Sequence, residues 1–286
     1  MRRTTVVVIL LAPILLIATA TSAQEPPASP PAGWGPMSIN LEDVPYPHPV
    51  SYFSFTLEDQ DVRMAYMDAA PIGTPNGKSV LLLHGMNFFG EAWTDTIEIL
   101  RKEGYRVVVP DQIGFGRSSK PILHYSISTH AANTKRLLDH LGIKTTDVVT
   151  HSMGGMVASR FASSYPDAVG NLAMINQIGL TDARTQRPWR ETSDVYRANL
   201  ARDYTEIVRG MRAYYVNWKP EYMKYVKIHS AGSQAATGRA WQWSARYSSR
   251  RSMRIRSSTT GRASRRVRSS SVVKKTAPTT PARRDT

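Results

Sequence analysis

The residues best suited to do chemistry lie in the run Val148-Val149-Thr150-His151-Ser152-Met153-Gly154-Gly155, where an apolar stretch ends in a serine and continues into small residues. A strand that turns sharply into a helix at a serine lifts the hydroxyl clear of the sheet, and small neighbours let such a turn close. The chemistry would be nucleophilic attack by Ser152 Oγ, with the Met153 N–H at the helix start facing the oxyanion that develops. Thr150 stands where a G-x-S-x-G pattern has its first glycine. A serine at a strand end is commonly only a cap or turn residue, so the elbow reading rests on its context.

That context begins about 70 residues earlier, where the run Val80 to Leu83 ends in His84-Gly85-Met86-Asn87. A glycine after a strand permits a turn that aims backbone amides at the same end of the sheet, and the Met86 N–H is the expected second oxyanion donor. The His84 ring reads as a buried turn histidine. A third loop, Asp111 to Pro121, follows another apolar run. Its G-x-G is not a phosphate loop, because neither G-K-[ST] nor the G-x-G-x-x-G spacing is present.

These loops need a sheet to hold them in register. Strands are expected at Tyr52 to Thr56, Arg63 to Asp68, Ser79 to Leu83, Arg106 to Val109, Asp147 to Thr150 and Leu172 to Asn176. Val80 to Leu83 and Val107 to Val109 are apolar without alternation, as in strands covered on both faces. Helices are expected at Glu91 to Glu103, Ser128 to Leu141 and Met153 to Tyr165, long enough for crossovers. The fold class is therefore α/β, a mostly parallel sheet flanked by helices over residues 46–178. Residues 179–245 have helical period and many aromatic rings but no convincing strand, which reads as a helical packing unit.

The remaining segments bound the setting. Residues 1–23 have Arg2 and Arg3, an apolar run from Val6 to Ile17 and small residues up to Ala23, the form of a secretory signal, so a secreted or periplasmic protein without a stable membrane anchor after cleavage is expected. Residues 24–45 are proline-rich and read as an unpacked linker. Cysteine is absent, which excludes disulfides, thiolate metal sites and cysteine nucleophiles. The net charge of +15 is concentrated in residues 246–286, where eleven Arg and two Lys against Asp285 account for +12 and leave +3 for the rest. The domain that precedes this tail is nearly neutral, so a small-molecule substrate rather than a nucleic-acid partner is expected.

The ordered set His84-Gly85, Asp111 to Pro121 and His151-Ser152-Met153-Gly154-Gly155 resembles the α/β-hydrolase superfamily, clearly over 51–176, with 181–245 similar to its helical cap. The motifs look most like the group of serine esterases, carbon–carbon-bond hydrolases and haloperoxidases. Epoxide hydrolases and haloalkane dehalogenases are set aside, because the resemblance leads one to expect Asp where this chain has Ser152. The resemblance implies acyl transfer with no metal or organic cofactor, a histidine activating Ser152 and an acid orienting that histidine, in the order Ser, acid, His.

The chain departs from that order. His229 is the only histidine after Ser152 and falls inside the cap, where it reads as a surface residue; His124, His130, His140 and His151 precede or flank the nucleophile. Asp182 and Asp194 lie at or within the cap and Asp285 is almost terminal, so neither base nor acid is identifiable. The last strands are expected to be missing. Residues 246–286, rich in Arg, Ser, Thr, Ala and Pro, read as an out-of-frame translation, with a disordered basic tail that contacts phosphates or anionic lipid as the alternative. A binding protein that keeps the fold without a triad is the other competing class.

Overall fold

The computed structural model describes residues 25–123, 125–180 and 190–234. The signal segment, His124, Asp182, Asp285, residues 235–245 of the expected cap, the basic tail and any strands it could hold lie outside the described residues.

Among the described residues six strands form one sheet: β1 (Val50–Leu57), β2 (Gln60–Ala69), β3 (Ser79–Leu83), β4 (Arg106–Pro110), β5 (Thr146–His151) and β6 (Val169–Ile175), in the order β1-β2-β4-β3-β5-β6. β1 runs antiparallel to β2 and β2 to β4, and the rest of the sheet is parallel. Each parallel connection carries a helix: α1 (Thr94–Lys102), α2 (Ile127–His140) and α3 (Met153–Ser164). All six expected strands and all three expected crossover helices are present, with one difference. The segment expected as a single helix from Glu91 starts as a tight 3-10 turn, Gly90–Trp93, before α1.

The unalternating apolar runs behave as their composition requires. In β3, Leu81 and Leu83 pack with Val108 of β4 and with Leu137, Val157 and Phe161 of α2 and α3. The alternate residues Val80 and Leu82 point the other way, onto Val107, Val109, Trp93 and Ile97 beneath α1. Side chains of successive strand residues point to opposite faces, so a strand covered by helices on both sides must be apolar at every position. Among the described residues β6 pairs with β5 alone, and none of its residues is fully buried.

The segment expected as a cap, called the cap below, holds α4 (Thr192–Leu200), α5 (Tyr204–Arg212) and α6 (Met223–Gln234), with no strand among its described residues. α5 is started by Asp203, whose carboxylate accepts the Glu206 N–H at 2.8 Å. A third apolar cluster joins Ile207, Met211, Trp218 and Val226 of the cap to Phe88 and Phe89 of the loop after β3.

Leu41 and Val44 belong to that same cluster. The stretch expected to be an unpacked linker is thus irregular but packed. The Arg117 guanidinium donates to the carbonyls of Leu41, Glu42 and Val44, the last at 2.7 Å, and stacks over the Tyr46 ring. At its far end Glu25 pairs with Arg212 of α5, and Trp34 meets Tyr204 edge to face. Residues 25–46 form a strap across core and cap.

Candidate active site

Ser152 joins β5 to α3 in a backbone conformation of φ 53° and ψ −116°. A non-glycine residue with positive φ is held there by its surroundings at a cost of about 1–3 kcal/mol. Ser152 is the N-cap of α3, yet its side chain makes no cap hydrogen bond. A serine recruited as an ordinary cap would accept an amide of the first turn. Here the hydroxyl is left available.

Two close approaches hold the elbow. A Cβ at Gly154 would fall far inside contact distance of the Leu83 carbonyl and 3.0 Å from that of His84, so α3 presses on the end of β3 only because residue 154 is glycine. A Cβ at Gly85 would lie 3.0 Å from Ser152 Cβ and 2.8 Å from His151 Nδ1. The loop after β3 therefore runs directly beside Ser152. Thr150, where the pattern has glycine, is accommodated by full burial in β5, with its hydroxyl 3.5 Å from the Ala173 carbonyl.

The two expected donors flank this position. Met153 N–H opens α3 and has no carbonyl four residues before it within the helix. Met86 N–H donates to no group among the described residues. Met86 is the second residue of a turn closed by Phe88 N–H to the Gly85 carbonyl at 3.2 Å.

The histidines divide by role. His84 is buried as expected, accepting the Gln112 N–H at Nε2 over 3.0 Å, and burial holds its pKa below the usual histidine value. His130 is buried between Tyr125 and Phe115, and desolvation pushes it down to about 3. His140 stacks on Phe53 of β1, away from the elbow. His151 is half-buried beside Phe88, with its pKa lowered by burial.

His229 differs from its expected place on the surface. It is half-buried, and its Nε2 donates to the Asn87 carbonyl at 3.1 Å. Desolvation pushes its pKa down to about 4, against the opposing effect of that carbonyl. With the proton on Nε2 the ring's lone pair is on Nδ1, and no hydrogen bond joins His229 to Ser152. Asp194 is exposed on α4 in an ion pair with Arg197.

Asp111 is buried at the same sheet edge, but its carboxylate is fully engaged. It accepts Tyr46 Oη at 2.6 Å, Gly90 N–H at 2.6 Å and Arg117 N–H at 2.7 Å. These bonds fasten three loops together, and the Tyr46 phenol pKa is raised by burial first and then by the Asp111 carboxylate. Among the described residues no group of three or more His, Asp or Glu could hold a metal ion.

Tyr46 and Asn87 are the site residues that sequence reasoning missed. Asn after a His-Gly turn is the only local signal for Asn87, since asparagine tolerates positive φ.

A family model for the alpha/beta hydrolase fold matches residues 78–214, the interval that holds both candidate oxyanion donors and the elbow. A crystal structure described as a "probable hydrolytic enzyme" from Pseudomonas aeruginosa PAO1 is 37% identical, with TM-score 0.74 over 78% of this chain and 72% of that one. The chain belongs to the α/β-hydrolase superfamily. Among curated members it is 35% identical over 158 residues to a haloalkane dehalogenase of Mycolicibacterium paratuberculosis, covering 53% of this chain and 51% of that protein. It is 34% identical over 137 residues to a cis-3-alkyl-4-alkyloxetan-2-one decarboxylase of Xanthomonas campestris, covering 43% and 44%. The chain thus spans about half the length of these relatives. The likeness therefore includes haloalkane dehalogenases, a group set aside in the reading of the sequence.

Proposed function

We propose that this α/β-hydrolase is a secreted or periplasmic serine hydrolase, in which Ser152 attacks the carbonyl of a small apolar ester or related substrate. The observation that carries the reading is the elbow. Ser152 pays for a positive φ and leaves its hydroxyl unused as a cap, beside two backbone amides from Met86 and Met153. Such amides hold the oxyanion of a tetrahedral intermediate.

Turnover is slow in this proposal. His229 is the last histidine of the sequence and is engaged with Asn87, and no acid is brought to Ser152 among the described residues. An oxyanion hole and substrate binding without a working triad still give roughly 10³–10⁴-fold over water. The apolar run after Arg2-Arg3 supports export, which N-terminal sequencing starting at Gln24 would establish.

The test is reaction of the full chain with a fluorophosphonate, followed by peptide mapping. An adduct on Ser152 that disappears in Ser152→Ala is expected, whereas a folded protein that stays unlabelled at Ser152 would move the chain to the binding-protein class.

A further inference from the structure

The cap and the loop that carries Met86 meet at Asn87. Its Nδ2 donates to Tyr214 Oη at 2.8 Å, and its carbonyl accepts His229 Nε2 at 3.1 Å. Tyr214 follows α5 and His229 lies on α6, so two parts of the cap grip one residue from its side chain and its backbone. The next residue, Phe88, sits edge-on to Tyr214 and Tyr225, with His151 against it on the side of the nucleophile.

The gripped residue is the one under strain. In the turn from Gly85 to Phe88, Asn87 is the third residue and has φ 70°. Positive φ at that position belongs to a type II turn, whereas the commoner type I turn needs about −90° there. Asparagine tolerates the left-handed region but does not favour it, so a turn free of its partners opens more readily. Opening would break the Phe88 N–H to Gly85 carbonyl bond and free the Gly85–Met86 peptide, whose N–H is the donor beside Ser152.

We infer that Tyr214 and His229 are positioning residues: by clamping Asn87 they keep the Gly85–Phe88 turn in the form that points Met86 N–H at the oxyanion, so that the hole is complete only while the cap is seated. The inference rests on the serine-hydrolase reading. His229 acts in it as a hydrogen-bond donor rather than as the base.

The experiment measures two quantities on the full chain: hydrogen exchange of the Phe88 amide, which closes the turn, and the rate of Ser152 phosphonylation. Leu81 in β3 reports on global opening. Tyr214→Phe and His229→Leu should each speed Phe88 exchange about fivefold, the worth of one hydrogen bond, and slow labelling in parallel, with Leu81 unchanged. His229→Gln, which keeps a donor, should restore both. Unchanged Phe88 exchange in the two variants, faster exchange with unchanged labelling, or a His229→Gln protein that behaves like His229→Leu would overturn the inference. Wild-type protein that is not labelled would instead sink the serine reading and leave Phe88 exchange alone to decide whether the clamp exists.

Discussion

At the scale of single residues, the elbow depends on what is absent from Gly154 and Gly155. A methyl at 154 would strike the backbone of β3, which has no room to move within a sheet, whereas a methyl at 155 would meet the Gln177 side chain, with Cβ 2.6 Å away. Gln177 lies in the loop after β6, which can shift, whereas β3 is paired on both sides within the sheet. Gly154→Ala should therefore destabilise by about 2–3 kcal/mol and displace the start of α3, abolishing Ser152 labelling, while Gly155→Ala should cost less than about 1.5 kcal/mol and keep it. Denaturant titration of both variants beside the labelling assay checks this order. The sequence already marked 154 and 155 as small for a reason, because a helix seldom opens on two glycines without close packing. It did not mark Asn87, whose partner Tyr214 lies 127 residues away and carries no motif.

At the scale of elements, burial makes α2 sensitive to acid. His130 is inside the helix–sheet interface, and its Nε2 has no hydrogen-bond partner among the described residues. Its folded pKa of about 3 lies below the ordinary 6.5. Between those values the unfolded chain binds the proton and the folded chain does not, so stability is intact above pH 6.5 and falls as the pH drops toward 3. The loss from this group is on the order of 3 kcal/mol by pH 4, and His84 and His151, shifted the same way, add to it. His130→Phe keeps the ring packing on Phe115 and Tyr125 and removes the titration, so its unfolding free energy should fall less steeply from pH 7 to pH 4. An identical pH slope would place the titration elsewhere. Elements such as α2 were legible because Ser126 caps it and its apolar residues recur at helical spacing. The 3-10 turn before α1 was not, since it is set by Asp111 reaching the Gly90 N–H from 21 residues away.

At the scale of the whole molecule, the cap is joined to the core from beneath by the Asn87 loop and from outside by the strap of residues 25–46. Proline-rich composition hid the strap. Leu41 and Val44 show no periodicity, and they are buried in a cluster with Phe88, Phe89 and residues from 207 onward that lie far away in sequence. Arg117 is the strap's main fastening, with three backbone carbonyls and the Tyr46 ring as partners. Arg117→Ala leaves those carbonyls to water and frees the strap to lift, which would expose Leu41 and Val44 and loosen the cap. The expected loss is about 1–3 kcal/mol, with proteolysis between residues 25 and 46 faster than in the wild type. Arg117→Lys should recover little, because a single ammonium cannot span three carbonyls and stack on a ring as a planar guanidinium does. Equal cleavage rates in the wild type and in Arg117→Ala would mean that Glu25–Arg212 and the apolar cluster hold the strap without it, and that the cap's seating on Asn87 does not depend on residues 25–46.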